Sequence, residues 1–252
     1  MGQSLNIARS IEYRIWQILF QAGWKVQVKG VAMTSGDRIT YTPPPSPASK
    51  FMWVFLDSSG KNASTEHVTV YKDGEVVPAD QYVVNFDKRQ VAFSVPITGK
   101  ITADITYFAA TVREGYPEPR TLDLLTLEDL PIIAYELHGQ DPRPFAIGDG
   151  RRDRHYRITI DLLAKDKTQK KILSDDLVER LARIGLLDAK ATWVLTAAGT
   201  ADVSFDYDSQ FRTWLRVADL GSNAILPRSG GGGGGDKENH RVLITLTVKN
   251  VS

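Results

Sequence analysis

Few residues of this 252-residue chain are of types and spacings that could do chemistry. Its four histidines, His67, His138, His155 and His240, include no pair spaced for one helix face or one strand face. A zinc site would therefore have to be assembled by tertiary folding alone. The absence of cysteine removes thiolate ligands, thiol nucleophiles and disulfides together, and predicts maturation in a reducing cytoplasm. No G-x-S-x-G elbow, Walker loop, H-E-x-x-H or EF-hand pattern occurs, and Gly148-Asp149-Gly150 is too short for a dinucleotide-binding loop. Two carboxylate groups could serve as acid/base pairs: Asp175 with Asp176, and Asp202 with Asp206 and Asp208. The first follows Ser174 on the polar side of an expected helix. The second alternates with Val203, Phe205 and Tyr207, which predicts the solvent face of a strand. Both read as surface charge. The expectation is a non-enzyme with no cofactor and no metal, and a hydrolase built from scattered side chains such as His138 and Asp161 is the rival.

The densest charge is Arg151, Arg152, Arg154 and Arg157, interleaved with Asp149 and Asp153. A solvated loop rim, a salt-bridged surface between subunits and a nucleic-acid contact all use such a run. The planar arginine fork favours the interface. These four arginines, with Asp175 and Asp176, are the candidate intersubunit interface. The 31 basic and 30 acidic residues nearly cancel, so no global field draws the chain to nucleic acid or to an anionic membrane.

Positioning such residues requires folded elements, and 42% hydrophobic with 24% charged residues is ordinary for a globular chain. Leu5, Ile7, Ala8, Ile11, Ile15, Ile18, Leu19 and Ala22 recur at helical spacing, and Gly23 suits the left-handed stop. The proline cluster Pro43, Pro44, Pro45 and Pro47 predicts an extended connector. Short β-branched and aromatic runs at 51–56, 67–71, 75–77, 82–85, 90–95 and 101–108, punctuated by Asp73-Gly74 and Thr98-Gly99-Lys100, predict an antiparallel sandwich or barrel. After Tyr116-Pro117-Glu118-Pro119, strands are expected at 131–137, 143–147, 156–164, 203–217 and 241–248, with a helix over 167–184 stopped by Gly185. Six consecutive glycines from Gly230 to Gly235 predict a flexible loop, from Pro227 to Asn239 at its widest, since glycine loses the most backbone entropy on ordering. The fold class is α+β: an antiparallel or mixed sheet with flanking helices, plus an inserted small all-β domain. The domains are residues 1–24 (a helix packing on the core domain), 25–115 (antiparallel β) and 116–252 (α+β, with the glycine-rich loop at 229–236). The first residues lack a secretory pattern and no stretch reaches the roughly 18 apolar residues of a membrane span.

Leu130-Pro131-Ile132-Ile133, Gly148-Asp149-Gly150-Arg151-Arg152, the stretch from Tyr156-Arg157-Ile158 to Lys165 and the helix from Leu173 to Leu181 together resemble a tailed-bacteriophage neck or tail-terminator protein. The resemblance covers about a third of the chain and rests on apolar alternation. Val68 to Val77, with Tyr82-Val83-Val84-Asn85 and Gln90-Val91-Ala92-Phe93, is similar to small β domains of phage structural proteins. It exceeds what a minimal terminator needs. The resemblance implies a ring, sixfold, made in the host cytoplasm and placed in the virion neck. Its implied partners are itself, the tail tube and sheath subunits, and head-side connector or adaptor proteins, with incidental contact to DNA in the channel. The alternative is another virion component or a binding module whose β domain recognises a protein or carbohydrate through Trp53, Tyr71 and Tyr82.

Overall fold

The structure, a computed structural model, describes residues 2–61, 64–115, 127–144, 152–181, 183–187, 211–224 and 241–250. Three sheets dominate and helices are few, so the chain is mixed α+β. It divides into two compact units, one of Met1–Ile18, Ala110–Ala189 and Arg212–Ser252, the other of Leu19–Ala109 and Lys190–Phe211. The division falls within helix α1 (Gly2–Gln21), whose Ile11, Ile15, Ile18 and Leu19 are fully buried. α1 stops where the sequence predicts. Gly23 takes φ +79°, the Trp24 N–H reaches the Leu19 carbonyl at 2.8 Å, and the Gly23 N–H reaches that of Phe20 at 3.2 Å. No described helix is long and apolar enough to cross a membrane.

The second unit holds β1 (Lys25–Ala32), β2 (Thr40–Tyr41), helix α2 (Pro47–Lys50), β3 (Val68–Lys72), β4 (Glu75–Val76), β5 (Tyr82–Asn85), β6 (Gln90–Phe93) and β7 (Ile101–Phe108). They form two antiparallel sheets, ordered β1-β7-β3-β4 and β2-β6-β5. Asp73 and Gly74, at φ +51° and +93°, make the tight turn between β3 and β4. The Tyr82 hydroxyl donates to the Val68 carbonyl at 3.1 Å, tying one sheet to the other. Phe55 meets both Phe86 and Phe108 edge-on at 6.0 Å between ring centres.

Two local expectations change here. Residues 51–56 are not a regular strand. Trp53, Val54, Phe55 and Leu56 are all fully buried, and the run follows β7 through one bridge at Tyr107. Burial on every side leaves it none of the alternation of a half-exposed strand. Conversely, β1 forms where the sequence reading has no strand, and not one of its eight residues is buried.

The first unit holds β8 (Thr111–Glu114), β9 (Ile132–Pro144), β10 (Arg152–Leu163), helix α3 (Lys167–Arg180), β11 (Arg183–Leu187), β12 (Phe211–Ala224) and β13 (Arg241–Asn250). Their sheet is ordered β11-β12-β13-β10-β9-β8, with β8 parallel to β9. The chain changes sheets just after β7, because the Thr111 N–H bonds the Pro131 carbonyl at 3.0 Å and β8 pairs with β9. Strands expected separately at 131–137 and 143–147 are one strand through Pro144, with a bulge opposite Tyr156 and Arg157. The helix expected to reach 184 ends at Arg180, and Ile184 is buried in β11. Of the strand expected over 203–217, residues 211–217 lie in β12. The rest of that strand and the glycine-rich loop lie outside the described residues.

Strand alternation puts Ile133, Tyr135, Ile158, Ile160, Leu162, Val242, Ile244 and Leu246 on one face, all buried. Burying an aliphatic side chain of this size stabilises by about 1.5 to 3 kcal/mol. α3 lies over this face through Leu173 and Leu177, and α1 reaches it through Glu12, whose carboxylate accepts from the Tyr135 hydroxyl at 3.3 Å. Burial, then the nearby Glu12 charge, pushes the Tyr135 phenol well above its ordinary range. Arg14 donates to the Arg180 carbonyl at 2.6 Å, placing a cation at the negative end of α3. At the other end Asp166 accepts from the Gln169 N–H at 2.8 Å.

Candidate assembly surfaces

Alternation sends the intervening residues to the other face of the six-stranded sheet. These are Glu136 and His138 from β9, Arg157, Thr159 and Asp161 from β10, and Arg241, Thr245 and Thr247 from β13. These polar residues share the face with Ala134, Leu243 and, at one end, the buried apolar cluster of Leu130, Ile132 and Leu163, and the Asp161 charge is paired. Asp161 is held by a two-point guanidinium grip: Arg241 Nε donates to Oδ1 at 2.7 Å, and an Arg241 Nη bonds Oδ2. The Asp161 side chain is only 8% exposed and that of Arg241 24%. His138 Nε2 lies 2.9 Å from Thr159 Oγ1 and 3.7 Å from Glu136 Oε2, with both the histidine and the glutamate side chains about half exposed.

The Asp161–Arg241 contact is a two-point ion pair between β10 and β13. Both Asp161 oxygens are engaged by one guanidinium and the side chain is 8% exposed, so little of the carboxylate is open to a substrate. His138 and Glu136 stand on an open sheet face in contact with solvent, without the enclosure that strengthens electrostatic catalysis. Among the described residues no group of three or more histidines and carboxylates is placed to hold a metal ion.

Arg157 is exposed on this face, opposite His138 and Thr247 in register. Arg152 and Arg154 lie in the first half of β10, opposite Pro144 and Pro142, and Arg151 lies outside the described residues. The acidic members of the predicted interface sit across the sheet. Asp175 is exposed on the outer side of α3, whereas Asp176 is half-buried and 3.9 Å from Arg180 one turn along. Arg157 and Asp175 are therefore not brought together within one chain, because β10 alternation directs Arg157 away from the face that α3 covers. Around Asp175 the exposed row of α3 also carries Thr168, Lys171, Ile172 and Glu179. Ile172 is 49% exposed, a large apolar side chain in the middle of that row.

The aromatic residues expected to recognise a ligand are mainly core. Trp53 is fully buried and donates Nε1–H to the Ala48 carbonyl at 2.7 Å, and Tyr82 is 3% exposed. Tyr71 is half-buried, with its hydroxyl 3.2 Å from Asp104 Oδ2. Strand alternation turns Tyr82 inward, whereas Tyr71 stands on the side of β3 opposite buried Val68 and Val70, and Trp53 lies in a run buried on every side. His67 is half-buried beside Phe20, 5.6 Å between ring centres, and His155 lies in β10. His240, Asp202, Asp206 and Asp208 lie outside the described residues.

Sequence reasoning passed over Ile172, within the helix expected over 167–184, and Arg241, whose partner lies 80 residues away. No local signal could have found the second. No family model matches the chain, and no curated protein or solved structure matches it either.

Proposed function

We propose that this chain is a structural subunit of a tailed-phage neck that assembles into a ring, terminates the tail tube and joins it to the head-side connector. The observation that carries this reading is the two-sidedness of the six-stranded unit. A closed ring is built from heterologous contacts, in which one surface of a subunit meets a different surface of the next. A subunit of that kind needs complementary patches on opposite sides. Here exposed Arg157 stands on the open sheet face, and Asp175 and Glu179 stand on the outer row of α3, across the sheet. Half-exposed Ile172 sits between the acids and Lys171 of that row as an apolar anchor. Copies stacked face to back would bring the two patches into contact. A sheet with helices on one side and an inserted β unit is compatible with the terminator-like architecture that the resemblance implies. The role requires no catalysis and no cofactor.

Light scattering on the eluting chain, with imaging of purified virions, tests the proposal. The expected result is a ring in solution and density for this chain at the head-to-tail joint. Reversing one charge, Arg157→Glu, should shift the chain towards monomer. Combining it with Asp175→Arg and Glu179→Arg should restore assembly. A strict monomer absent from the joint, or dissociation that the combined variant leaves unrepaired, overturns this reading.

A further inference from the structure

We propose that α3 pairs antiparallel with α3 of a second copy of this chain, lysine half against acid half, and that this pair is a state of the subunit before it enters a ring. The pair stands on α3 alone, and its relation to the ring rests on the assembly reading above.

The first observation is how α3 carries its charge. Lys167, Lys171, Asp175 and Glu179 form one row at four-residue spacing, all four exposed, while Leu173 and Leu177 are buried on the opposite side. Cations therefore fill the first half of the outward row and anions the second. A helix's own dipole favours the reverse, acids in the first turn and bases in the last. The first turn of α3 holds no acid, and Lys167 opens it. Lys171 and Asp175 stand one turn apart in the less favourable order for a pair along one helix. Among the described residues no ion pair engages Lys167, Lys171, Asp175 or Glu179. Within one chain this placement works against the helix and makes no contact in return.

The second observation is that the row is its own complement. With a second α3 laid antiparallel so that Leu173 of each copy stands at the same level, Lys171 faces Asp175 of the second copy. Lys167 faces Glu179 of that copy, and twofold symmetry repeats both pairs. A slip of one turn brings Lys171 onto Lys171 in one direction and Asp175 onto Asp175 in the other. A parallel arrangement sets lysine against lysine. Charge thus selects one direction and one register. Rows at four-residue spacing are also the ridges of the commonest helix crossing, in which the row of one helix lies in the groove beside the row of the other. Thr168 and Ile172 border that groove, so the pairing covers Ile172, which is 49% exposed in the single chain.

The third observation is size. α3 has 14 residues and is about 21 Å long. One face of such a helix falls short of the roughly 1,200 Å² at which stable interfaces begin, so the pair is weak, and its exposed charges make it sensitive to salt. Asp175 and Glu179 are also the acids that the ring contact gives to Arg157 of a successive copy. A chain holds one contact or the other, and a weak pair yields its acids as the ring closes.

The chain has no cysteine, so introduced ones report alone. Facing positions across a helix pair come within disulfide reach, and the ring contact does not bring these positions together. Lys171→Cys chains mixed with Asp175→Cys chains and mildly oxidised should give a mixed disulfide several-fold above either homodimer. A second readout uses charge, in Arg157→Ala chains that lack the cation of the ring contact. Light scattering at rising concentration should show a monomer to dimer equilibrium. Lys167→Glu with Lys171→Glu should abolish it, as should Asp175→Lys with Glu179→Lys, and mixing the two kinds of chain should restore it. Both changes suit the helix dipole, so neither unfolds α3. A mixed disulfide no more abundant than the homodimers overturns this inference. Charge-reversed chains that pair alone, or that stay apart when mixed, overturn it equally. Rings that persist in the Arg157→Ala chains overturn the ring contact, and the mixed disulfide still decides the α3 pair.

Discussion

Removing either member of the Asp161–Arg241 pair should destabilise the six-stranded unit, and unequally. The carboxylate is 8% exposed and the guanidinium 24%. Arg241→Met leaves a buried anion with no cation, a loss worth about 3 to 5 kcal/mol when a buried pair is broken from one side. Asp161→Asn leaves an arginine that is a quarter exposed and can turn its head to water, while the amide oxygen still accepts one bond. Its cost should be nearer 1 to 2 kcal/mol, about that of a weakened hydrogen bond to a charged group. Replacing both, Asp161→Leu with Arg241→Met, should cost less than Arg241→Met alone, since no charge then remains to be solvated. The chain has two compact units, so the readout must be local. Amide exchange in β10 and β13 under urea reports this unit directly. Equal costs for the two single variants, or a larger cost for Asp161→Asn, would refute the reasoning.

His67 couples the β unit to pH. Burial first and the Lys25 charge second hold its imidazole below the ordinary value, and its Nε2 is buried without a hydrogen-bond partner. A histidine whose folded value is depressed contributes stability above its unfolded value, about 6.5, and loses it as pH falls from there towards the folded value. The melting temperature should drop between neutral and mildly acid pH, and His67→Phe should flatten that drop. Gly99→Ala should cost about 1 to 3 kcal/mol, because Gly99 takes φ +120° and an added Cβ would run into the Asp73 carboxylate. Gly36→Ala, with open space around it, should change urea stability by less than about 0.5 kcal/mol. Arg14→Ala should free the Arg180 carbonyl and raise amide exchange in the last turn of α3, at a cost of about 1.5 to 3 kcal/mol for the lost charged hydrogen bond.

What the sequence discloses, and what it withholds, follows from how far apart the determining residues lie. α1, its glycine stop and the Asp73-Gly74 turn are written within a few residues of themselves, and a period of 3.6 or a dipeptide is enough to find them. Residues 51–56 mislead because full burial erases the period that marks a strand's two sides. The boundary of α3 misleads because Ile184 satisfies the helical stripe and the buried strand equally well. The candidate interface is a harder case still. Arg157 and Asp175 are 18 residues apart in sequence and carry opposite signs, which in one dimension suggests a pair. Which way each points depends on β10 lying between β9 and β13 and on α3 crossing only one side, facts set by pairings with residues before 145 and after 240. Once those pairings are known, the two charges cannot neutralise each other within a chain. The same separation that defeats an intramolecular salt bridge is what makes a contact between successive copies possible.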